Sequence, residues 1–290
     1  MQLIELLHLG EAELQSAQVP DYELEARLLL EHCTGKSRTK IYLDGGCEVQ
    51  QQLIDTYLLL LERRKKREPI AYILGEQEFW SLPFFVTSDV LIPRPETEFL
   101  LDRVLALTLP ENTHKGHILD LCCGSGVIAT VLAKETGKKI YASDISTKAL
   151  EVANKNFTRH CLESKVVLIQ GNLLSPFSGA GIISLVVSNP PYVSSFDIVK
   201  NLEPEVAKYE PRLALDGGAM GLEIIKAIRE ELPVVLCPGG QCFIEIGADQ
   251  GEAVKQLFLE KRGGLAGFQQ VEILVDYAGR DRVLHARLEN

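Results

Sequence analysis

The sequence predicts an α/β protein: a mostly parallel, seven-stranded sheet flanked by helices, preceded by a small helical bundle and a connecting β-hairpin. Three observations lead there. Residues 1–76 carry leucines at helical spacing. Residues beyond 117 alternate short β-rich runs with helical stretches, the pattern of βαβ units and a parallel sheet. The chain then ends in two strands joined by Asp276-Tyr277-Ala278-Gly279-Arg280-Asp281, too short a link for a crossover helix, so these strands pair antiparallel or lie in different sheets. At roughly 150 residues per domain, the 290 residues accommodate about two domains. The expected division is a helical region 1–76, a hairpin linker 77–92 and an α/β domain 93–290.

In the first region Leu3, Leu6, Leu7 and Leu14 share one helical face. Asp21, after Pro20, reads as the cap of a second helix carrying Leu24, Leu28 and Glu31, and Ile54, Tyr57, Leu58 and Leu61 mark another that runs into Arg63-Arg64-Lys65-Lys66-Arg67. Phe79-Trp80 and Phe84-Phe85-Val86 are β-prone and separated by Ser81-Leu82-Pro83, which predicts the hairpin. The prolines of Leu91-Ile92-Pro93-Arg94-Pro95 hold off a helix until about Glu96, after which Leu100, Val104 and Leu107 supply its apolar stripe. Strands are expected at 118–121, 140–143, 166–170, 182–188 and 242–246, with helices at 127–135, 146–160 and 220–231. The closing strands are expected at 271–275 and 282–288. A parallel sheet closed by an antiparallel hairpin resembles the class I methyltransferase sheet, which is Rossmann-like, more than a plain dinucleotide fold.

Composition narrows the function. Apolar residues at 46% and charged residues at 24% are ordinary for a globular chain. The net charge of −10 disfavours extended contact with nucleic-acid phosphates. Seven cysteines at 33, 47, 122, 123, 161, 237 and 242 form no Cys-x-x-Cys pair, which argues against a zinc site or disulfide framework and for reduced, mostly buried thiols. The aliphatic runs are too short for a membrane span, and Met1-Gln2-Leu3-Ile4-Glu5 has no basic leader character, so a cytoplasmic protein is expected. His8, His32, His114, His117, His160 and His285 show no metal or triad spacing and read as structural or surface residues.

The run Asp120-Leu121-Cys122-Cys123-Gly124-Ser125-Gly126-Val127-Ile128-Ala129 joins a strand to a helix through a glycine loop. The helix N-terminus favours an anionic group, and Asp144, ending the next strand 18 residues after Gly126, can accept from two ribose hydroxyls. Gly124-x-Gly126-x-x-Ala129 fits a dinucleotide as well as an adenosylmethionine. The loop indicates a nucleoside-bearing cofactor without saying which.

Val187-Ser188-Asn189-Pro190-Pro191-Tyr192 ends the fourth strand, at the sheet edge where such folds bind ligands. The prolines extend the backbone and remove amide donors, leaving the Pro190 carbonyl, the Asn189 amide oxygen and the Tyr192 ring as two acceptors and a wall. That set suits a planar NH2 group. Asn-Pro-Pro-Tyr resembles the signature of S-adenosylmethionine-dependent methyltransferases acting on exocyclic or amide nitrogen, a motif shared by enzymes of adenine in nucleic acid and of glutamine in protein.

Further blocks separate these classes. Glu68-Pro69-Ile70-Ala71-Tyr72-Ile73-Leu74-Gly75, Phe79-Trp80, Leu91-Ile92-Pro93-Arg94-Pro95-Glu96-Thr97-Glu98 and Ala278-Gly279-Arg280-Asp281-Arg282-Val283 resemble the release factor glutamine methyltransferases, the PrmC/HemK family, over essentially the whole chain. The resemblance implies N5-methylation of the glutamine in the Gly-Gly-Gln motif of class 1 peptide-chain release factors, with S-adenosylmethionine as methyl donor and S-adenosylhomocysteine as product. It also implies a helical domain that helps dock the factor. The expected cofactor-binding residues are Asp120, Cys122, Cys123, Gly124, Ser125, Gly126, Asp144, Ile145, Asn172, Leu173 and Asn189. Asn189, Pro190 and Tyr192 are the expected catalytic residues, with Pro191 and Arg94 also at the substrate. A monomer without metal, membrane or nucleic-acid partner is expected. The alternative, an N6-adenine methyltransferase on nucleic acid, meets the charge of −10 and lacks an evident base-recognition domain; a nicotinamide oxidoreductase or a noncatalytic binding module is more remote.

Three positions depart from the family pattern. Cys122 stands where glycine is usual, and a positive φ there would be strained. Asn172 replaces an acid, and Leu173 a residue that is often aromatic. Gly239-Gly240-Gln241 matches the substrate tripeptide but reads as a turn, with Gln241 starting the fifth strand. The Arg63–Arg67 cluster has two readings, a solvated helix end favoured by the helix dipole or a patch for an acidic factor or ribosomal RNA.

Overall fold

The computed structural model describes residues 1–108, 116–177, 179, 181–260 and 267–289; His114 lies outside the described residues. In chain order it contains α1 (Leu3–Ser16), α2 (Tyr22–Thr34), α3 (Arg38–Leu43), α4 (Gln51–Lys65), α5 (Ile70–Leu74), β1 (Glu76–Phe79), β2 (Leu82–Phe85), α6 (Pro95–Thr108), β3 (His117–Leu121), α7 (Val127–Thr136), β4 (Ile140–Asp144) and α8 (Thr147–Arg159). Then follow β5 (Val166–Gln170), β6 (Ile183–Ser188), α9 (Ser195–Lys200), α10 (Pro204–Tyr209), α11 (Glu223–Val235), β7 (Leu236–Glu245), α12 (Gly251–Leu259), β8 (Phe268–Val275) and β9 (Asp281–Leu288). They form two compact units, Met1–Glu76 with Glu203–Tyr209, and Gln77–Leu202 with Glu210–Asn290.

The first unit is a helical bundle whose core holds Leu3, Leu6, Leu7 and Leu14 of α1, Leu29 and Leu30 of α2, and Ile54, Tyr57 and Leu61 of α4. A Cβ on Gly10 would fall 1.9 Å from the Tyr57 hydroxyl, so glycine lets α1 and α4 close around that ring. The Tyr57 hydroxyl then donates to the Ala26 carbonyl at 3.0 Å. The apolar face of α2 is rotated from its predicted phase, whereas Ile54, Tyr57 and Leu61 of α4 are buried as expected. Leu24 is 45% exposed while Ala26, Leu29 and Leu30 are buried, and Leu58 also lies off the buried face of α4. Asp21 occupies the cap position of α2 but at φ +51 and without a side-chain cap bond.

The basic cluster is only partly solvated: Arg63 and Lys66 are exposed, while Arg64 is buried. Arg64, only 4% exposed, is paired with Glu25 and with Glu205 at 3.1 Å, and Arg67 donates to Glu205 at 2.8 Å. Arg63 pairs with Glu68 at 2.6 Å and Lys65 with Glu13 and Glu62 at 2.7 Å. The Tyr209 hydroxyl donates to the Lys66 carbonyl at 2.8 Å. Arg64 and Arg67, through Glu205, and the Tyr209 hydroxyl therefore tie α10 to the C-terminal end of α4 within the unit. Breaking a pair buried as deeply as Arg64 leaves an unpaired charge and costs about 3–5 kcal/mol.

The second unit carries a seven-stranded sheet in the order β5-β4-β3-β6-β7-β9-β8. β5 to β7 are parallel neighbours, β9 runs antiparallel to β7, and β8 pairs antiparallel with β9, as the closing hairpin predicts. Neighbouring residues alternate between faces, so Ile118 packs with α6, α7 and α8 while Leu119 packs with α11 and α12. α6 begins at Pro95, where a missing N–H costs nothing, with Glu96 and Glu98 in its first turn. Its buried stripe is Leu100, Leu101, Val104 and Thr108, with Leu107 outside it. α11 starts at Glu223, later than expected, after Gly221 at φ +72. The Pro238-Gly239-Gly240 turn is present as an irregularity within β7, and Gln241, 5% exposed, is bonded to the His285 ring at 2.9 Å.

The β1–β2 hairpin turns at Trp80 and Ser81, at φ +54 and +55, rather than at residues 81–83, so Pro83 lies within β2. Neither residue favours this left-handed geometry, and tertiary bonds hold it: the Trp80 amide donates to Glu98 at 2.6 Å and its indole N–H to Glu135 at 3.2 Å. His160 bonds the Pro83 carbonyl at 3.0 Å. All seven cysteines are free, but only Cys123 and Cys242 are buried, and Cys47 and Cys161 are exposed. No helix among the described residues is long and apolar enough to cross a membrane.

Candidate active site

From β3 the chain proceeds to β4 and β5 on one side, whereas β6 and β7 lie on the other, so the sheet reverses its order between β3 and β6. Leu121 pairs with Ser188 at the ends of these strands, and the Ser188 hydroxyl donates to the Leu121 carbonyl at 2.7 Å. Cys122 and Asn189 therefore leave the sheet side by side, at the crevice where ligands bind in this architecture. A cavity of about 280 Å³ opens there.

One edge of the cavity is mostly main chain. Cys122, Gly124 and Gly126 have φ of +61, +52 and +81, which winds the loop onto the N-terminus of α7. Cys122 thus adopts the positive φ that is strained for a residue with a Cβ, at a cost of about 1–2 kcal/mol. Both Asp144 carboxylate oxygens accept main-chain bonds at 2.9 Å, Oδ2 from Gly124 and Oδ1 from Ser146. Burial raises the Asp144 pKa, against these amide bonds, and each oxygen retains acceptor capacity. Cys122, Cys123, Gly124, Ser125, Asp144, Ile145, Asn172 and Leu173 all line the cavity. Leu173 adopts φ +47.

Two residues assigned to this edge do not line it. Asp120 is fully buried, and its Oδ2 accepts the Ala129 amide at 2.9 Å, which anchors the first turn of α7 behind the loop. Burial pushes its pKa well up. Gly126 is a packing glycine, because a Cβ there would lie 2.7 Å from the Phe157 ring.

The other edge is made of side chains. Asn189 and Pro191 line the cavity, as does Thr97. The Asn189 Nδ2 donates to Thr97 Oγ1 at 2.9 Å, and the Thr97 hydroxyl donates to Glu245 Oε2 at 2.7 Å. The Tyr192 hydroxyl donates to Glu245 Oε1 at 3.1 Å. Glu245 is fully buried, and burial lifts its pKa to about 7, against the Thr97 and Tyr192 bonds that favour the carboxylate. Tyr192 is therefore a support for Glu245 and not a wall of the cavity, and burial raises its own pKa. Pro190 is buried and does not line the cavity. Arg94 does not line it either: it is ion-paired with the Glu210 carboxylate, next to the cavity-lining Pro211.

Thr97, Glu245 and the 211–216 segment were not singled out in the sequence. Thr97 lay in view within Pro-Arg-Pro-Glu-Thr-Glu but read as a helix start. Glu245 carried a signal of its own, a lone acid in the apolar run Cys242-Phe243-Ile244-Glu245-Ile246.

A parallel sheet closed by a reversed hairpin, with a glycine loop and an acid at the switch point, defines a class I methyltransferase. Family models agree: residues 5–75 match the PrmC N-terminal domain and residues 101–232 the methyltransferase small domain. A release factor glutamine methyltransferase from Caulobacter vibrioides is 39% identical, over 93% of this chain and 91% of the relative. One from Escherichia coli is 37% identical over 95% of both chains. Among solved structures, a ribosomal protein L11 methylase from Lactobacillus delbrueckii subsp. bulgaricus shares the fold at a TM-score of 0.50, with 19% identity over 71% of this chain and 84% of that one. The chain belongs to the release factor glutamine methyltransferase family.

Proposed function

We propose that the protein methylates N5 of the glutamine in the Gly-Gly-Gln motif of class 1 peptide-chain release factors, using S-adenosylmethionine. The observation that carries this reading is the Asn189 amide. Its Nδ2 is bonded to Thr97, which leaves Oδ1 as the acceptor presented to the cavity that Asn189 lines. The relatives named for this activity match the chain from the helical region to the last strand.

The residues present fit the methyl donor. Asp144 keeps acceptor capacity for two ribose hydroxyls, the amides at the start of α7 suit a carboxylate, and Leu173 with Asn172 offers an apolar contact and an amide at the adenine end. When bound, S-adenosylmethionine supplies an electrophilic methyl on a sulfonium. A glutamine amide nitrogen is a poor nucleophile because its lone pair is delocalised into the carbonyl. Asn189 Oδ1 and the main-chain carbonyl of Pro190, which joins the cavity-lining Pro191 although the Pro190 ring is buried, accept its two N–H bonds, which aims the lone pair and stabilises the positive charge that develops on nitrogen. Positioning two bound partners contributes up to roughly 7–11 kcal/mol, and each acceptor about 1–3 kcal/mol. The proton leaves after transfer, so no dedicated base is needed. The helical unit serves as a docking surface for the body of the factor.

The test is transfer of labelled methyl from S-adenosylmethionine to a purified release factor, beside a factor whose Gly-Gly-Gln glutamine is replaced. Label on the unmodified factor alone is expected. Label on neither, with S-adenosylhomocysteine still bound, overturns the substrate and sends the search to nucleic acid; equal label on both overturns the site.

A further inference from the structure

The mechanism above uses Asn189 but not the groups behind it, and those groups decide which end of its amide meets the substrate. The Glu245 carboxylate has no proton of its own, so it can only accept, and it takes the hydroxyl protons of Thr97 and Tyr192. With its single proton committed to Glu245, the Thr97 hydroxyl can only accept from Asn189, and it receives Nδ2. We propose that Thr97 and Glu245 are positioning residues that set the polarity of the Asn189 amide, holding Oδ1 toward the methyl acceptor. This inference rests on the role given to Asn189 above.

The ordering works through charge state and not through packing alone. When Glu245 takes up a proton on Oε2, that proton is donated to Thr97 Oγ1, the Thr97 proton is released toward Asn189, and the stable amide orientation reverses. Asn189 Nδ2 then faces the cavity, and a donor meets a substrate NH2 that carries only donors. Besides Thr97 and Tyr192, the charged groups acting on Glu245 are Arg282, which favours the carboxylate, and Glu96, which opposes it. Burial brings the change in Glu245 charge to about pH 7, within the working range of an enzyme. The substrate amide does not titrate near this pH. The rate of methyl transfer is accordingly low in acid and rises as Glu245 ionises.

The experiment measures kcat against pH for the full-length parent, Thr97→Val, Thr97→Ser, Glu245→Gln and Asn189→Ala, with S-adenosylhomocysteine affinity as the control for an intact fold. Thr97→Val lowers kcat by about 10- to 100-fold and removes the acid limb, because Asn189 is no longer connected to Glu245. Thr97→Ser, which keeps the hydroxyl, returns kcat to within about fivefold of the parent and restores the limb. Glu245→Gln loses the limb as well, and supplies the same readout should Thr97→Val fail to bind S-adenosylhomocysteine. A Thr97→Val enzyme with parental kcat, or a reduced kcat with the acid limb intact, overturns the inference, since the second result reports packing only. If Asn189→Ala itself keeps the parental kcat, the failure belongs to the assigned role of Asn189 and takes this inference with it.

Discussion

The two edges of the cavity are built from different material. The glycine-loop edge uses main-chain groups and one carboxylate drawn from neighbouring strands, with Asp144 receiving the amides of Gly124 and Ser146. The Asn189 edge uses side chains from positions 97, 189, 192 and 245, linked in one chain of donors and acceptors. An edge made of amides retains its donors whatever side chain the loop carries, which is how Cys122 can occupy a position of positive φ without removing a binding group. An edge made of linked side chains fails when any member changes its donor or acceptor character. A side-chain change in the loop therefore spares the binding amides, while one in the linked side chains alters the polarity of the reacting end.

Substitutions on the two edges should separate accordingly. Asn189→Ala removes an acceptor that acts as charge develops, so kcat should fall about a hundredfold while S-adenosylhomocysteine affinity stays within about threefold, measured by steady-state kinetics and calorimetry. Comparable losses in both would erase the division between the edges. Asp144→Ala should act in the opposite sense, weakening S-adenosylhomocysteine about 10- to 30-fold while kcat at saturating donor stays within about fivefold of the parent. An unchanged affinity would remove Asp144 from the site. The smallest effect is expected at Cys122→Gly, with affinity and kcat both within about threefold, because the amides of that edge belong to the main chain. A tenfold change in either would show that the thiol itself contributes.

The same division explains what could be read from sequence. The glycine loop, Asp144 and the strand that carries Asn-Pro-Pro-Tyr are local patterns, and the final hairpin is legible because its link is too short for anything else. The bond from Thr97 to Glu245 spans 148 positions and leaves no periodic trace. Tyr192 was expected at the cavity wall because its neighbours are there, but its side chain follows the buried carboxylate instead. The Trp80–Ser81 turn was missed for a related reason: the conformation is imposed by Glu98 and Glu135, and the two turn residues have no preference for it. The placement of α10 with the helical unit depends on Arg64 and Arg67 meeting Glu205, acids and bases that in sequence look like ordinary surface charge. The faces of α2 and α4 were judged by leucine spacing, and Leu24 and Leu58 show that leucines also occupy the outer turns.

The buried carboxylate at 245 also sets activity against thermal resilience. Its folded-state pKa of about 7 lies above the ordinary value of 4.5, so the native fold binds a proton more tightly than the unfolded chain does. Stability linked to this group is present below about pH 4.5, declines as the pH rises toward 7, and is absent above that. The ionised state that orders Asn189 is thus the one the fold tolerates less well. Glu245→Gln should consequently melt higher than the parent at pH 8 but not at pH 4, by calorimetric scan, while turning over more slowly. The charge at 245 is the place where the fold gives up robustness for a correctly pointed amide.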